Sequence, residues 1–126
     1  DISMINGLLN SRLRIRMIKA DRLNREVPFN MQIPVEEIIV DKEENNLKGE
    51  TVLLQGVIDC YFEDNGELVL VDYKTDSVKD GKEDVVIKKY KLQMDYYKRA
   101  LETITGKKVK ERFIYLFRSQ RILEIS

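Results

Sequence analysis

Apolar residues recur at three- and four-residue steps near the start of the chain: Ile5, Leu8, Leu9, Leu13, Met17 and Ala20. That spacing puts them on one stripe, with the arginines mostly off it, and predicts a helix over residues 3–20. Residues 24–33 suit an extended segment, and Pro28 within it argues for an edge strand or a bulge. Residues 41–50 are polar and predict a surface loop or hairpin tip. Residues 52–63 and 67–75 are rich in Val, Leu, Ile, Tyr and Phe, and Asp64-Asn65-Gly66 lies between them. Asn-Gly is a strong two-residue hairpin signal, because both turn positions need positive φ. After a polar loop at 76–84, residues 85–105 place Val86, Tyr90, Gln93, Tyr97, Ala100 and Ile104 on one helical stripe, with Gly106 as the stop. Residues 108–118 and 120–125 predict two more strands. The order is α-β-β-β-α-β-β: an α/β (α+β) fold, a mixed sheet with an antiparallel hairpin at its centre and helices packed against it, in one domain over residues 1–126.

The hairpin fixes a register. With Asn65-Gly66 as the turn, Asp64 faces Glu67, and counting back puts Asp59 across from Asp72 with Cβ atoms roughly 4.5–5.5 Å apart. Lys74, two residues on, projects from the face of Asp72 and would lie opposite Val57. Two opposed carboxylates in apolar strands repel. A shared proton, a lysine or a bound cation must offset that, and hard divalent cations take oxygen ligands of this kind. A buried Asp–Lys pair that satisfies only itself is the bland alternative.

Charge and composition narrow the chemistry. The chain has 22 basic and 22 acidic side chains, yet they are sorted: residues 1–25 carry net +4, residues 35–76 net −9 and residues 77–126 net +6. A carboxylate-rich middle between basic flanks is compatible with a cation site beside a polyanion. There is one cysteine and no histidine. A disulfide framework, a cysteine-based zinc site, a four-cysteine iron–sulfur cluster and imidazole catalysis within this chain are excluded. Neither a Walker A loop nor GxGxxG occurs, and no apolar run approaches the ~20 residues that span a bilayer.

The segment GVIDCYFEDNGELVLVDYKTD (residues 56–76) resembles the core hairpin of the PD-(D/E)XK nucleases, in their RecB-like branch, and is most similar to the nuclease domains of AddA-type bacterial helicase–nucleases. REVPF (Arg25 to Phe29) is similar to the family's upstream acidic motif. YKLQMDYYKRAL (Tyr90 to Leu101) is similar to its helix motif, Gln followed four residues later by Tyr. The resemblance implies a restriction-endonuclease-like fold and a Mg²⁺-dependent (or Mn²⁺-dependent) deoxyribonuclease, an exonuclease of a helicase–nuclease acting in double-strand-break repair and recombination. It makes Asp59, Asp72 and the backbone carbonyl of Tyr73 metal ligands, Lys74 the catalytic lysine, and Glu26, Gln93 and Tyr97 site-lining groups toward DNA, with Glu26 also catalytic. The alternative readings are packing on the helix stripe for Tyr97 and Gln93 and a plain surface charge for Glu26, while Tyr90 reads as packing. The implied partners are DNA, the remainder of the helicase chain and an AddB-like second subunit, in the bacterial cytoplasm and away from membranes. No iron–sulfur cluster is expected.

One ligand of that family pattern, an upstream histidine, has no counterpart here. The chain therefore reads as a C-terminal piece of a larger helicase–nuclease, impaired when alone. A catalytically degenerate module for DNA binding or for the assembly of subunits is the competing expectation.

Overall fold

A computed structural model describes residues 12–37 and 49–126. The first half of the expected leading helix, and most of the expected loop at 41–50, lie outside the described residues. Residues 12–19 are helical, here α1. The chain continues through β1 (Leu23–Pro34), a 3₁₀ turn at Val35–Glu37, β2 (Thr51–Asp64), β3 (Glu67–Lys74), α2 (Glu83–Thr105), β4 (Val109–Leu116) and β5 (Arg121–Ile125). The strands form one sheet in the order β1-β2-β3-β4-β5, parallel between β3 and β4 and antiparallel elsewhere. A parallel pair needs a crossover, and α2 is that crossover. Pro28 sits in the edge strand, where a missing N–H costs no central ladder bond.

Two apolar layers hold helices to the two faces. On one, Ile58, Leu70, Ile114 and Leu116 pack against Val86, Met94, Tyr97 and Leu101 of α2. On the other, Cys60, Phe62, Val71 and Phe113 pack against Leu13 of α1, with Met17 and Ala20 alongside. The stripe that α2 buries is rotated from the expected one. Met94 and Leu101 are its most deeply buried members, Gln93 is only half-buried, and Ile104 is 57% exposed. At 100° per residue Ile104 falls in line with Val86, so helix phase does not account for its exposure; it lies in the last turn of α2, beside an open groove lined by Phe29, Gly56 and Val57. Gly106 ends α2 as expected, at φ 71°, its N–H donating to Glu102 O at 3.0 Å. Polar clamps fix both helices. Arg112, buried in β4, donates to Asp95 of α2 at 2.7 Å. Arg16 of α1 reaches Glu111 and Asp64 at the rim of the sheet.

The hairpin turn forms at Asn65-Gly66, with φ 53° and 83°. Its register is the one counted from sequence: Asp64 faces Glu67 and Cys60 faces Val71. There the β2–β3 ladder stops. Lys74 does not pair with Val57; it pairs with Leu116 of β4, and Val57 is half-exposed. Local counting continues a ladder indefinitely, whereas here β2 follows β1, paired with it as far as Thr51, and β3 follows β4. The sheet forks beyond Cys60 and Val71. One prong is the β1–β2 ribbon, and the other is β3 with β4 and β5.

At the fork the side-chain alternation slips by one. Val27, Phe29, Met31 and Ile58 face α2, but Leu23 and Cys60, an even number of residues away, face α1. Regular strands cannot do this, since their side-chain period is two. The slip coincides with Glu26, whose φ is 52° in the middle of β1. A left-handed residue of this kind turns the following side chains to the other face.

Candidate active site

Asp59, Asp72 and Lys74 meet where the sheet forks, beneath α2. Asp72 stands on β3 between Val71 and Tyr73 and is 1% exposed. Asp59 is the first residue of β2 past the end of the β2–β3 ladder. Its Oδ2 accepts the backbone N–H of Tyr73 at 2.9 Å. A side-chain carboxylate thus ties the strands at the point where backbone pairing has ended, which fixes Asp59 toward Asp72.

Burial pushes the Asp72 carboxyl up to about 6. Desolvation is the largest cause, Lys74 opposes it, and the neighbouring Asp59 carboxyl adds to it. Lys74 Nζ lies 2.9 Å from Asp72 Oδ2. The ion pair is nonetheless poorly aligned, because that buried oxygen receives no hydrogen bond. The ammonium gives its well-directed bond to Gln93 Oε1 instead, at 2.7 Å. Gln93 Nε2 in turn donates to Tyr97 Oη at 2.9 Å. Asp72 Oδ2 is therefore in ion-pair contact with Lys74 yet has no well-directed hydrogen-bond donor. Buried acceptors in that condition are uncommon and mark a place for a further donor or a cation.

Gln93 and Tyr97 come from successive turns of α2, Tyr97 within its buried face and Gln93 half-buried. Tyr97 is also core: its ring meets Phe29 edge-on, with centroids 5.4 Å apart. The packing and site readings of Tyr97 thus hold together, since the ring packs while the hydroxyl anchors Gln93. Glu26 is exposed and flanks Asp59 across the β1–β2 ladder, between the pairs Arg25–Cys60 and Val27–Ile58. Among the described residues, no hydrogen bond or ion pair joins it to the Asp72–Lys74–Gln93 chain of contacts. Cys60, on the opposite face, is buried core.

Tyr90 is more than the packing residue its position on the helix suggests. Its ring lies 4.6 Å from Lys74 Nζ, and its hydroxyl donates to Asp76 Oδ1 at 2.6 Å. A sequence signal existed. Asp76 follows Lys74 by two, and Tyr90 precedes Gln93 by three, on the same side of the helix.

The donor set suits a hard divalent cation: two carboxylates on adjoining strands, one with an unsatisfied buried oxygen, and the Tyr73 main chain between Asp72 and Lys74. Among the described residues, no group of three or more His, Cys, Asp and Glu side chains converges. The protein would supply part of a coordination shell and leave the rest to water and substrate. Also among the described residues, no helix is long and apolar enough to cross a membrane.

The sequence profile of the PD-(D/E)XK nuclease superfamily matches residues 4–123. The chain belongs to this superfamily. It is 54% identical over 123 residues to the ATP-dependent helicase/nuclease (A-type subunit) of Acetivibrio thermocellus, covering 98% of this chain and 10% of that protein. To the corresponding protein of Ruminiclostridium cellulolyticum it is 46% identical over 125 residues, covering 99% and 10%. The Clostridium novyi protein is 44% identical over 121 residues, covering 96% and 10%. This PD-(D/E)XK domain spans about a tenth of the length of these relatives.

Proposed function

We propose that the domain hydrolyses phosphodiester bonds of DNA with a divalent cation, Mg²⁺ or Mn²⁺, as the exonuclease of a bacterial cytoplasmic helicase–nuclease that processes double-strand breaks for recombination. The observation that carries the chemistry is the buried Asp72 oxygen without a hydrogen-bond donor, beside Asp59 and Lys74. Asp59, Asp72 and the Tyr73 carbonyl would hold the ion. When bound, it supplies Lewis-acid polarisation of a phosphoryl oxygen and acidifies water.

The chain's own residues do the rest. The Tyr73 N–H orients Asp59. Gln93 and Asp72 hold the Lys74 ammonium where a phosphoryl group gains negative charge, so the charge is in place before the reaction and needs no rearrangement. Glu26, exposed and flanking Asp59 across the β1–β2 ladder, would accept a proton from water or contact DNA. Exposed cations of α2, Lys88 and Lys91 among them, offer contacts to the phosphate backbone. The names of the relatives support an attached helicase that delivers the strand. The protein partners of this reading are the remainder of that chain and an AddB-like second subunit. Alone, with two carboxylates, a carbonyl and no histidine, the 126 residues would bind the ion weakly and cut slowly.

The test is Asp72→Ala in the intact helicase–nuclease. The expected result is loss of Mg²⁺-dependent degradation of linear DNA with ATP-driven unwinding retained. Degradation within a few-fold of wild type would defeat the assignment and favour a DNA-binding or assembly module.

A further inference from the structure

Lys74 must place one ammonium group at one point, although its four-carbon stem is flexible. Two of its contacts are polar: Gln93 Oε1 at 2.7 Å, and Asp72 Oδ2 at 2.9 Å in poor alignment. Neither confines the group on its third side. There the face of Tyr90 lies 4.6 Å from Nζ. A ring face attracts a cation through its quadrupole but accepts no strong hydrogen bond, so it confines the ammonium while leaving an N–H free for another acceptor.

The ring is itself held. Tyr90 Oη donates to Asp76 Oδ1 at 2.6 Å, and Lys89 Nζ meets the other oxygen, Asp76 Oδ2, at 2.8 Å. Lys89 also lies 5.1 Å from the Tyr90 centroid. Asp76 follows Lys74 in the chain, so one short segment carries both the lysine and the carboxylate that fixes the ring over it. An aromatic at this place needed only for burial would not require a carboxylate at hydrogen-bond distance from its hydroxyl.

We propose that Tyr90, tethered through its hydroxyl to Asp76, is a positioning residue for the Lys74 ammonium. The proposal rests on the nuclease reading above and adds to it a wall for the catalytic lysine, built by α2 and the segment after β3. Ring contact is the essential part and the tether refines it.

Two measurements test it. The first is metal-free NMR of the chain with ¹³C-labelled lysine. The Lys74 ε-CH₂ protons should be shifted upfield by the Tyr90 ring current, the shift should persist in Tyr90→Phe, and it should vanish in Tyr90→Leu. The second is steady-state cleavage of linear DNA by the intact protein. Tyr90→Leu should lower kcat about tenfold or more with KM within about twofold. Tyr90→Phe should recover most of that loss, and Asp76→Asn should show an intermediate loss. No ring-current shift in the wild type, or a Tyr90→Leu enzyme with kcat within twofold of wild type while Lys74→Ala is inactive, overturns the positioning role and leaves the nuclease reading standing. A Phe variant as slow as the Leu variant also overturns the ring's role. An active Lys74→Ala enzyme overturns both.

Discussion

At Glu26 the chain accepts a left-handed backbone in the middle of a strand, a conformation that costs a non-glycine residue about 1–2 kcal/mol. Glycine would adopt it without that cost, and a β-branched residue would suffer most. Strain and chemistry are separable at this position. Glu26→Gly is expected to keep the stability of the parent or exceed it, and Glu26→Val to lose about 1–2 kcal/mol, as read from urea midpoints. Both remove the carboxylate, so both should lose cleavage to the same degree. A fully active glycine variant would take Glu26 out of the reaction. Asp72 shows the opposite economy: its backbone is ordinary, and the unfavourable state is a buried carboxyl whose desolvation outweighs the opposing Lys74 ammonium.

Among the elements, β1 and α2 meet through one permissive position. Phe29 pairs with Gly56, and a Cβ there would stand 2.7 Å from the Phe29 ring and 3.5 Å from that of Tyr97. Both rings are buried, so neither can swing aside cheaply. Gly56→Ala is expected to cost about 1–3 kcal/mol in denaturant unfolding and to slow cleavage, because Tyr97 carries Gln93 and Gln93 carries Lys74. An alanine variant of parental stability would show that the ribbon yields. The hairpin is legible from sequence because its determinants are local: an Asn-Gly turn, flanking runs of β-branched, aliphatic and aromatic residues and a side-chain period of two bring Asp59, Asp72 and Lys74 toward one another. The fork is not legible, because it depends on β2 pairing with β1 and β3 with β4, neither of which adjacent residues encode. The rotated face of α2 escapes the sequence for a related reason. Met94 and Leu101 compete with Gln93 and Ile104 for the same stripe, and only the sheet decides between them. Tyr90 reads as packing from the helix pattern alone because its partners, Asp76 and Lys74, lie on another element.

For the molecule as a whole, net charge is zero, and pH acts through particular clamps. Arg16 holds the carboxyls of Asp64 and Glu111 below their usual range, chiefly through its hydrogen bonds to them. A carboxyl whose pKa falls on folding binds fewer protons in the native state. Its contribution is complete above the ordinary carboxylate range of about 4 and is lost as pH falls through the lowered value. Docking of α1 should therefore weaken in acid. Urea titrations between about pH 3 and 6 should show a loss of stability that is smaller in Arg16→Gln; equal slopes in the two proteins would remove this clamp from the acid response. The forked sheet has a consequence in time as well as in space. Beyond Cys60 neither outer edge of the β1–β2 ribbon is paired, and Val52, Leu53 and Val57 lie open to solvent, whereas β3 and β4 are bordered by strands and covered by both helices. Fewer buried contacts mean a lower free energy of local opening. In hydrogen exchange, the amides of residues 51–57 should be replaced well before those of 69–71 and 113–116, dividing the molecule into a slow-exchanging block and a looser ribbon, with Asp59 on the boundary between them.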